Sequence, residues 1–333
     1  MLEDNNFPAL NVAEVQEDFT QKAWEIFQRQ SLENHVYRDF LGLLPGCKPN
    51  PQNLFSIPAL PVSFFKQSLL ATGTWNPEAI FTSSGTGGGS PSRHPVRSLK
   101  SYRENAARCF CAAYGPPENY AFAALLPHYL ERSGSSLVDM AAAFIQRSRY
   151  PDHSGFFLDD FAGLHRLLEA SKEKGIPQVL LGVSFALLRF SRDFPLPFPK
   201  LILMETGGMK GQEKEISREE LHGLLKKAFG VEKVHSEYGM TELLSQAYSC
   251  GHGLFRESPS LRIFIRDMTN PFREMPFGKT GAVNLIDLAN EDSLAFLATD
   301  DLGRKWPDGS FEILGRLDYS EMRGCNLLLE NDY

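Results

Sequence analysis

The 333-residue chain has few cysteines, no excess of basic residues and no long apolar run. Its five cysteines, Cys47, Cys109, Cys111, Cys250 and Cys325, are odd in number and lack a paired framework. That excludes a disulfide scaffold and points to free thiols in a reducing cytoplasm. Lys and Arg total 34 against 41 Asp and Glu, a net charge of −7, so neither a nucleic-acid partner nor an anionic membrane surface is expected. No run of ~18 apolar residues occurs, so no membrane span is expected. The start, MLEDNNFPALN, is acidic and has no basic-then-apolar pattern, so no secretory signal is expected. What is present is ordinary globular composition, 42% apolar and 23% charged, in a chain long enough to bury its own core.

Periodicity predicts one or two amphipathic helices over 12–44, with Phe19, Ala23, Ile26 and Phe27 on one face. The Pro-rich stretch 48–62 reads as irregular, and 79–82 as a short buried strand. Helices are predicted over 99–114, 136–147, 161–174 and 218–229, three of them stopped by Gly115, Gly175 and Gly230. Strands are predicted over 120–126, 178–183 and 201–204, with a further one following 231–236. Short apolar strands alternating with helices argue for an α/β core with a largely parallel, helix-flanked sheet. From residue 254 closely spaced strands predict a small antiparallel β subdomain. The expected division is 1–253 for the α/β core, 254–315 for the β-rich part and 316–333 for a hinge and C-terminal stub.

Three strand ends carry chemistry. FTSSGTGGGSPSR, residues 81–93, leaves a strand and precedes a helix. Its glycines let backbone N–H groups converge and its hydroxyls add donors, which suits a phosphate nest; a flexible connection fits equally. The loop is neither a Walker A sequence nor GxGxxG, since Ser90 stands at the third glycine position. ETGGMKG, residues 205–211, allows a flat ligand to approach the backbone beyond a parallel strand, or forms a plain turn with a solvated Lys210. HSEYGMTELLSQAYS, residues 235–249, offers a ring face at Tyr238, close approach at Gly239, a hydroxyl at Thr241 and a hard oxygen ligand at Glu242. It also reads as a helix start capped by Thr241, and the two readings are compatible.

Three such elements in this order resemble the acyl-adenylate-forming superfamily of acyl-CoA synthetases, adenylation domains and luciferases. ATDDLG (298–303) is similar to that superfamily's T-G-D motif, and GRLD (315–318) to its hinge motif. LPHYLERSGSSLVDM (126–140), METGGMKG (204–211), IRD (265–267) and RGCNLLLE (323–330) resemble the acyl-protein synthetases of bacterial bioluminescence, which are long-chain fatty acid–protein ligases. The matches run from about residue 58 to the end.

The resemblance implies ATP and Mg2+ as cofactors. Ser83, Ser84, Gly85, Thr86, Gly87 and Gly88 would hold the β- and γ-phosphates. Gly207 and Gly208 would line the adenine pocket with Tyr238, followed by Gly239 and Met240. Thr241 would contact the α-phosphate or the acyl carboxylate, and Glu242 would hold magnesium. Asp301 would bind the ribose hydroxyls, Arg316 would be a second ribose or phosphate contact, and Asp318 would sit at the hinge. His128 and Lys210 are acyl-substrate candidates.

Departures are visible. The loop has Gly87 where a second threonine is common, and Ser92-Arg93-His94 replaces a lysine after the proline. Asp300 stands at the glycine of T-G-D, so the ribose role could shift by one residue. The sequence ends 15 residues after Asp318, so the superfamily's C-terminal lid domain with its catalytic lysine is expected to be absent or vestigial, with Lys210 and Arg323 as candidate local substitutes.

The implied activity is activation of a carboxylic acid, a medium or long fatty acid by the resemblance, as an acyl-adenylate. Transfer to the thiol of Cys325 and on to an acyl-accepting or reductase partner follows. Arg323 beside Cys325 would lower the thiol pKa; a buried strand cysteine is the competing reading. A CoA ligase and a non-catalytic nucleotide-binding protein are the alternatives. Elsewhere, Cys250 and His252 lack further ligands at zinc spacing and read as structural. Cys109 and Cys111 point to different helix faces and read as core. Ser135 or Ser136 reads as a helix cap, and Lys66 as a cation extended from an amphipathic helix.

Overall fold

The computed structural model describes residues 12–44, 46–83, 90–127, 134–207 and 216–316, with side chains of the first helix from Asp18 onward. Helices α1 (Val12–Glu33) and α2 (His35–Gly42) are separated by Asn34. Its Oδ1 accepts from the Tyr37 N–H at 3.1 Å and its Nδ2 donates to the Ser293 carbonyl at 3.0 Å, so one side chain both caps a helix and ties it to the sheet. Phe19, Ala23, Ile26 and Phe27 are buried, as their spacing predicts. The proline stretch is less irregular than expected: β1 (Leu60–Pro61) pairs in parallel with Leu297 and Ala298. Proline is tolerated there because β1 is a two-residue edge.

Strands β2 (Ala79–Thr82) and β3 (Arg93–Val96) form an antiparallel pair on either side of residues 84–89. β2 is only half buried. Phe81 points inward and Ile80 is exposed, because β2 has a single partner strand.

The parallel part follows. Its elements are α3 (Leu99–Tyr114), β4 (Ala121–Leu125), α4 (Ser136–Arg147), β5 (Gly155–Phe157), α5 (Phe161–Glu173), β6 (Gln178–Val183), α6 (Ser184–Asp193), β7 (Ile202–Thr206), α7 (Arg218–Phe229) and β8 (His235–Tyr238). Every residue of β4 and β6 is buried, as expected of central parallel strands covered on both faces. Ser98, Ser135, Asp160 and Ser217 accept a first-turn N–H at the starts of α3, α4, α5 and α7. Gly230 closes α7 at φ 62°, a conformation that glycine reaches without steric cost.

The remaining strands are β9 (Ala247–Ser249), β10 (Leu254–Arg256), β11 (Leu261–Arg266), β12 (Gly281–Asp287), β13 (Phe296–Lys305) and β14 (Ser310–Arg316). They are antiparallel, as expected, but they are not a separate layer. The strand order is β5-β4-β6-β7-β8-β9-β10-β14-β13-β12-β11 in one continuous sheet. The expected division at 253/254 therefore falls in the turn between two paired strands, β9 and β10.

Two apolar clusters lie along this sheet. One gathers Phe110, Tyr114, Phe122, Phe144 and Tyr248 around the parallel strands, with ring centroids 4.8–5.7 Å from Phe110. Each such pair contributes about 0.5–1.5 kcal/mol beyond its burial. The other packs Phe27 and Tyr37 against Phe296, so α1 and α2 join the β-rich half rather than the parallel half. Among the described residues, no helix is long and apolar enough to cross a membrane.

Candidate active site

The carboxyl ends of β7 and β8 open into a cleft of about 1530 Å³. Sites in open α/β sheets form at such strand ends. Ser83, Gly207, Tyr238, Gly239, Met240, Thr241, Glu242, Asp301 and Arg316 all line it. Ser83 and Ser90, on either side of the glycine-rich stretch, both line it too. Ser84, Gly85, Thr86, Gly87, Gly88, His128, Gly208, Lys210, Asp318 and Cys325 lie outside the described residues.

Tyr238 ends β8 with its ring against Phe255 and Phe311. Its hydroxyl donates to Asp301 Oδ2 at 2.8 Å. Asp301 and Arg316 are cross-strand partners on β13 and β14, and Arg316 Nε lies 3.4 Å from Asp301 Oδ1. Burial raises the proton affinity of Asp301, while Tyr238 and Arg316 work against that rise. A carboxylate has about four lone-pair sites, so two partners leave room for further donors. Of the two adjacent aspartates, Asp301 is buried and Asp300 exposed.

The expected helix at Thr241 does not form. Residues 241–242 make a turn whose polar groups are held by distant side chains. His94 Nδ1 is 2.8 Å from the Thr241 carbonyl, and Asn290 Nδ2 is 2.8 Å from the Glu242 carbonyl. The N–H groups of Leu244 and Ser245 both donate to Asp287 Oδ2. Tertiary partners thus replace the intrahelical bonds that a helix would supply. Burial raises Asp287 to about 6, with the bonds from Ser245 and Leu244 opposing it. His94 is fully buried, and desolvation lowers it to about 4, so the ring is neutral. A carbonyl only accepts, so Nδ1 carries the proton and Nε2 accepts from Ser293 Oγ at 2.8 Å.

Glu242 is buried beside this turn. Desolvation raises its pKa, while a hydrogen bond from Ser92 and the cations Arg316 and Lys66 favour the charged form. Lys66 sits on a 3₁₀ turn rather than a full helix, exposed and on the cleft wall. Its apolar neighbours in FFKQSLL gave no hint of that. Among the described residues, no group of three His, Cys, Asp or Glu is placed to hold a metal. A lone buried carboxylate suits Mg2+ only where phosphate oxygens complete the shell. Glu242 is such a carboxylate, buried and on the cleft wall.

No protein-family model and no curated protein sequence matches the chain. Solved structures do match. An open conformation of 2-hydroxyisobutyryl-CoA ligase, in complex with 2-HIB-AMP and CoA, superposes with a TM-score of 0.64 at 14% identity over 92% of this chain and 71% of that one. The same ligase in its thioesterification state gives 0.63 at 16% identity, over 93% and 69%. ATP-bound MatB from Rhodopseudomonas palustris gives 0.55 at 16% identity, over 73% and 49%. The fold is thus similar to the core that these ligases share. This chain spans about half the length of MatB.

Several further cleft residues are not singled out by the sequence reading. Glu205 accepts from Ser184 Oγ at 3.1 Å and Ser236 Oγ at 2.7 Å, with Arg218 Nε and His222 Nε2 within 3.8 Å. Glu237, on the opposite face of the sheet, accepts from Thr206 Oγ1 at 2.5 Å. The alternation of β7 and β8 could have flagged both, since a glutamate in a buried parallel strand is unusual. Cys109 is buried, whereas Cys111 is exposed instead of joining the core.

Proposed function

We propose that this chain activates a carboxylic acid with ATP, forming an acyl-adenylate and pyrophosphate. The observation that supports it most is the meeting of Ser83, Gly207, Tyr238, Thr241, Glu242, Asp301 and Arg316 around one cleft, although they come from four separate chain segments. In this reading the base lies against Tyr238 and Gly207, and Asp301 accepts from the ribose hydroxyls. Ser83 and the glycine-rich loop donate to the phosphates. Thr241 donates where the acid carboxylate meets the α-phosphate, and Arg316 and Lys66 offset charge that grows in the transition state. Glu242 would hold Mg2+, which when bound neutralises phosphate charge.

The acyl group then passes to Cys325, a thiol that needs little activation, with release of AMP. A protein partner would accept it next, in the cytoplasm. The resemblance to fatty acid–protein ligases suggests Cys325 and a fatty acid. A second reading, thioester formation on CoA, is favoured by the ligase whose structure contains CoA.

ATP–pyrophosphate exchange over a panel of carboxylic acids tests the first step. Exchange with at least one acid supports it, and none with any acid rejects it. Labelled acyl on the protein, released by hydroxylamine and lost in Cys325→Ser, supports the thiol; CoA-dependent AMP release that survives Cys325→Ser supports the second reading.

A further inference from the structure

The alternation of β8 and β9 puts Glu237, Gly239, Gln246 and Tyr248 on one face. In the antiparallel pairing Glu237 stands opposite Tyr248, and in the parallel pairing it stands opposite Thr206. Glu237 Oε1 and Gln246 Cγ lie 2.5 and 3.7 Å from the point where a Cβ on Gly239 would sit, so the two side chains are immediate neighbours. Thr206, Glu237, Gly239 and Gln246 all line the cleft, facing Tyr102 and Met140.

Among the described residues this wall has more hydrogen-bonding capacity than partners. Glu237 is 8% exposed and takes one hydrogen bond, from Thr206. No cation pairs with it among the described residues. The hydroxyls around it are committed elsewhere: Tyr102 donates to the Ser136 carbonyl at 2.7 Å and Tyr248 points to Met140 Sδ at 3.8 Å. Gln246 is 4% exposed, and its buried Oε1 has no partner. Buried polar groups are normally satisfied, and a buried carboxylate with a single bond is costly, so two adjacent orphans on a cleft wall point to a ligand group. Glu237 accepts when ionised and the Gln246 amide offers an acceptor and an N–H2 donor, so a hydroxyl or an ammonium finds a partner there. An apolar chain laid on this wall would leave them unpaired.

We infer that the wall made by Thr206, Glu237 and Gln246 recognises an N–H or O–H donor on the acid, so the acid is amino- or hydroxy-substituted. The inference rests on the acid-activation reading and narrows its acyl class: a hydroxy fatty acid fits, a plain one does not. Burial draws Glu237 up to about 7, so near neutral pH its ionised form accepts from an ammonium or a hydroxyl and its protonated form donates to a hydroxyl oxygen.

The test pairs pyrophosphate exchange with ligand-observed NMR binding on the full chain. It uses plain, hydroxy- and amino-substituted acids matched in carbon number. The expected result is that one substituted series beats its plain counterparts by about ten-fold or more in kcat/KM, and that Glu237→Gln and Gln246→Leu collapse that ratio toward one. Which series wins distinguishes ammonium from hydroxyl. Equal rates for plain and substituted acids overturn the inference while leaving acid activation standing, as does a ratio unmoved in whichever variant folds. If no acid exchanges, Glu237-dependent NMR binding of substituted acids upholds the donor site and removes adenylation; absence of binding as well removes both.

Discussion

His94 and Thr241 are 147 residues apart and are joined by a 2.8 Å hydrogen bond between a neutral imidazole and a backbone carbonyl. The bond ties the strand after the glycine-rich stretch to the turn that carries Thr241 and Glu242. Through Nε2 the same ring reaches Ser293, so three chain segments share one side chain. Its edge-to-face contact with Phe65, at 5.1 Å, holds the ring in place.

His94→Leu removes both bonds and leaves a buried carbonyl unpaired, at a cost of about 1–3 kcal/mol. The pH sign follows from the direction of the shift. A histidine lowered from 6.5 to about 4 contributes stability that is lost as pH falls through that window, because the unfolded chain takes up a proton first. The stability gap between wild type and His94→Leu therefore narrows as the pH falls below 6.5. Urea denaturation at pH 7.5 and pH 5 measures it.

Glu237 has the opposite sign. Its pKa rises from 4.5 to about 7, chiefly by desolvation, so the folded protein holds a proton that the unfolded chain releases. Its contribution is complete below pH 4.5 and is lost as pH rises through 7. Glu237→Gln, which never ionises, gains on wild type across that window by up to roughly 3 kcal/mol. Thermal denaturation at pH 4.5 and pH 8, without ligands, should show the variant gaining only at the higher pH.

Glu242→Gln keeps the bond from Ser92 but removes the charge. If Glu242 holds the metal, the Mg2+ concentration for half-maximal exchange rises by about ten-fold or more. An unchanged Mg2+ dependence assigns the residue a structural role.

Much of this arrangement was legible in the sequence. The helix from Leu99 to Tyr114 and its stop at Gly115 follow from local spacing and capping, which act within a few residues. The apolar run predicts the strand at 201–204, but β7 continues to Thr206, and β8 is the polar HSEY, whose ends no apolar run marks. Of the two readings of the stretch at Thr241, the helix start fails, because the groups that hold a turn there, His94, Asp287 and Asn290, come from far along the chain. The joining of the β-rich strands to the parallel sheet is only partly local: β9 and β10 form a hairpin, whereas β10 pairs with β14 from far along the chain, as Leu254 with Glu312. Glu205 closes the apolar run of β7 and Glu237 lies in the polar HSEY, so neither stands out until its burial is known.

The most direct measurement is a crystal structure with a non-hydrolysable ATP analogue and Mg2+. The account predicts the adenine against Tyr238, the ribose hydroxyls on Asp301 and the phosphates between Ser83 and Thr241. A nucleotide bound away from this cleft, or a cleft left empty at saturating nucleotide, would contradict it.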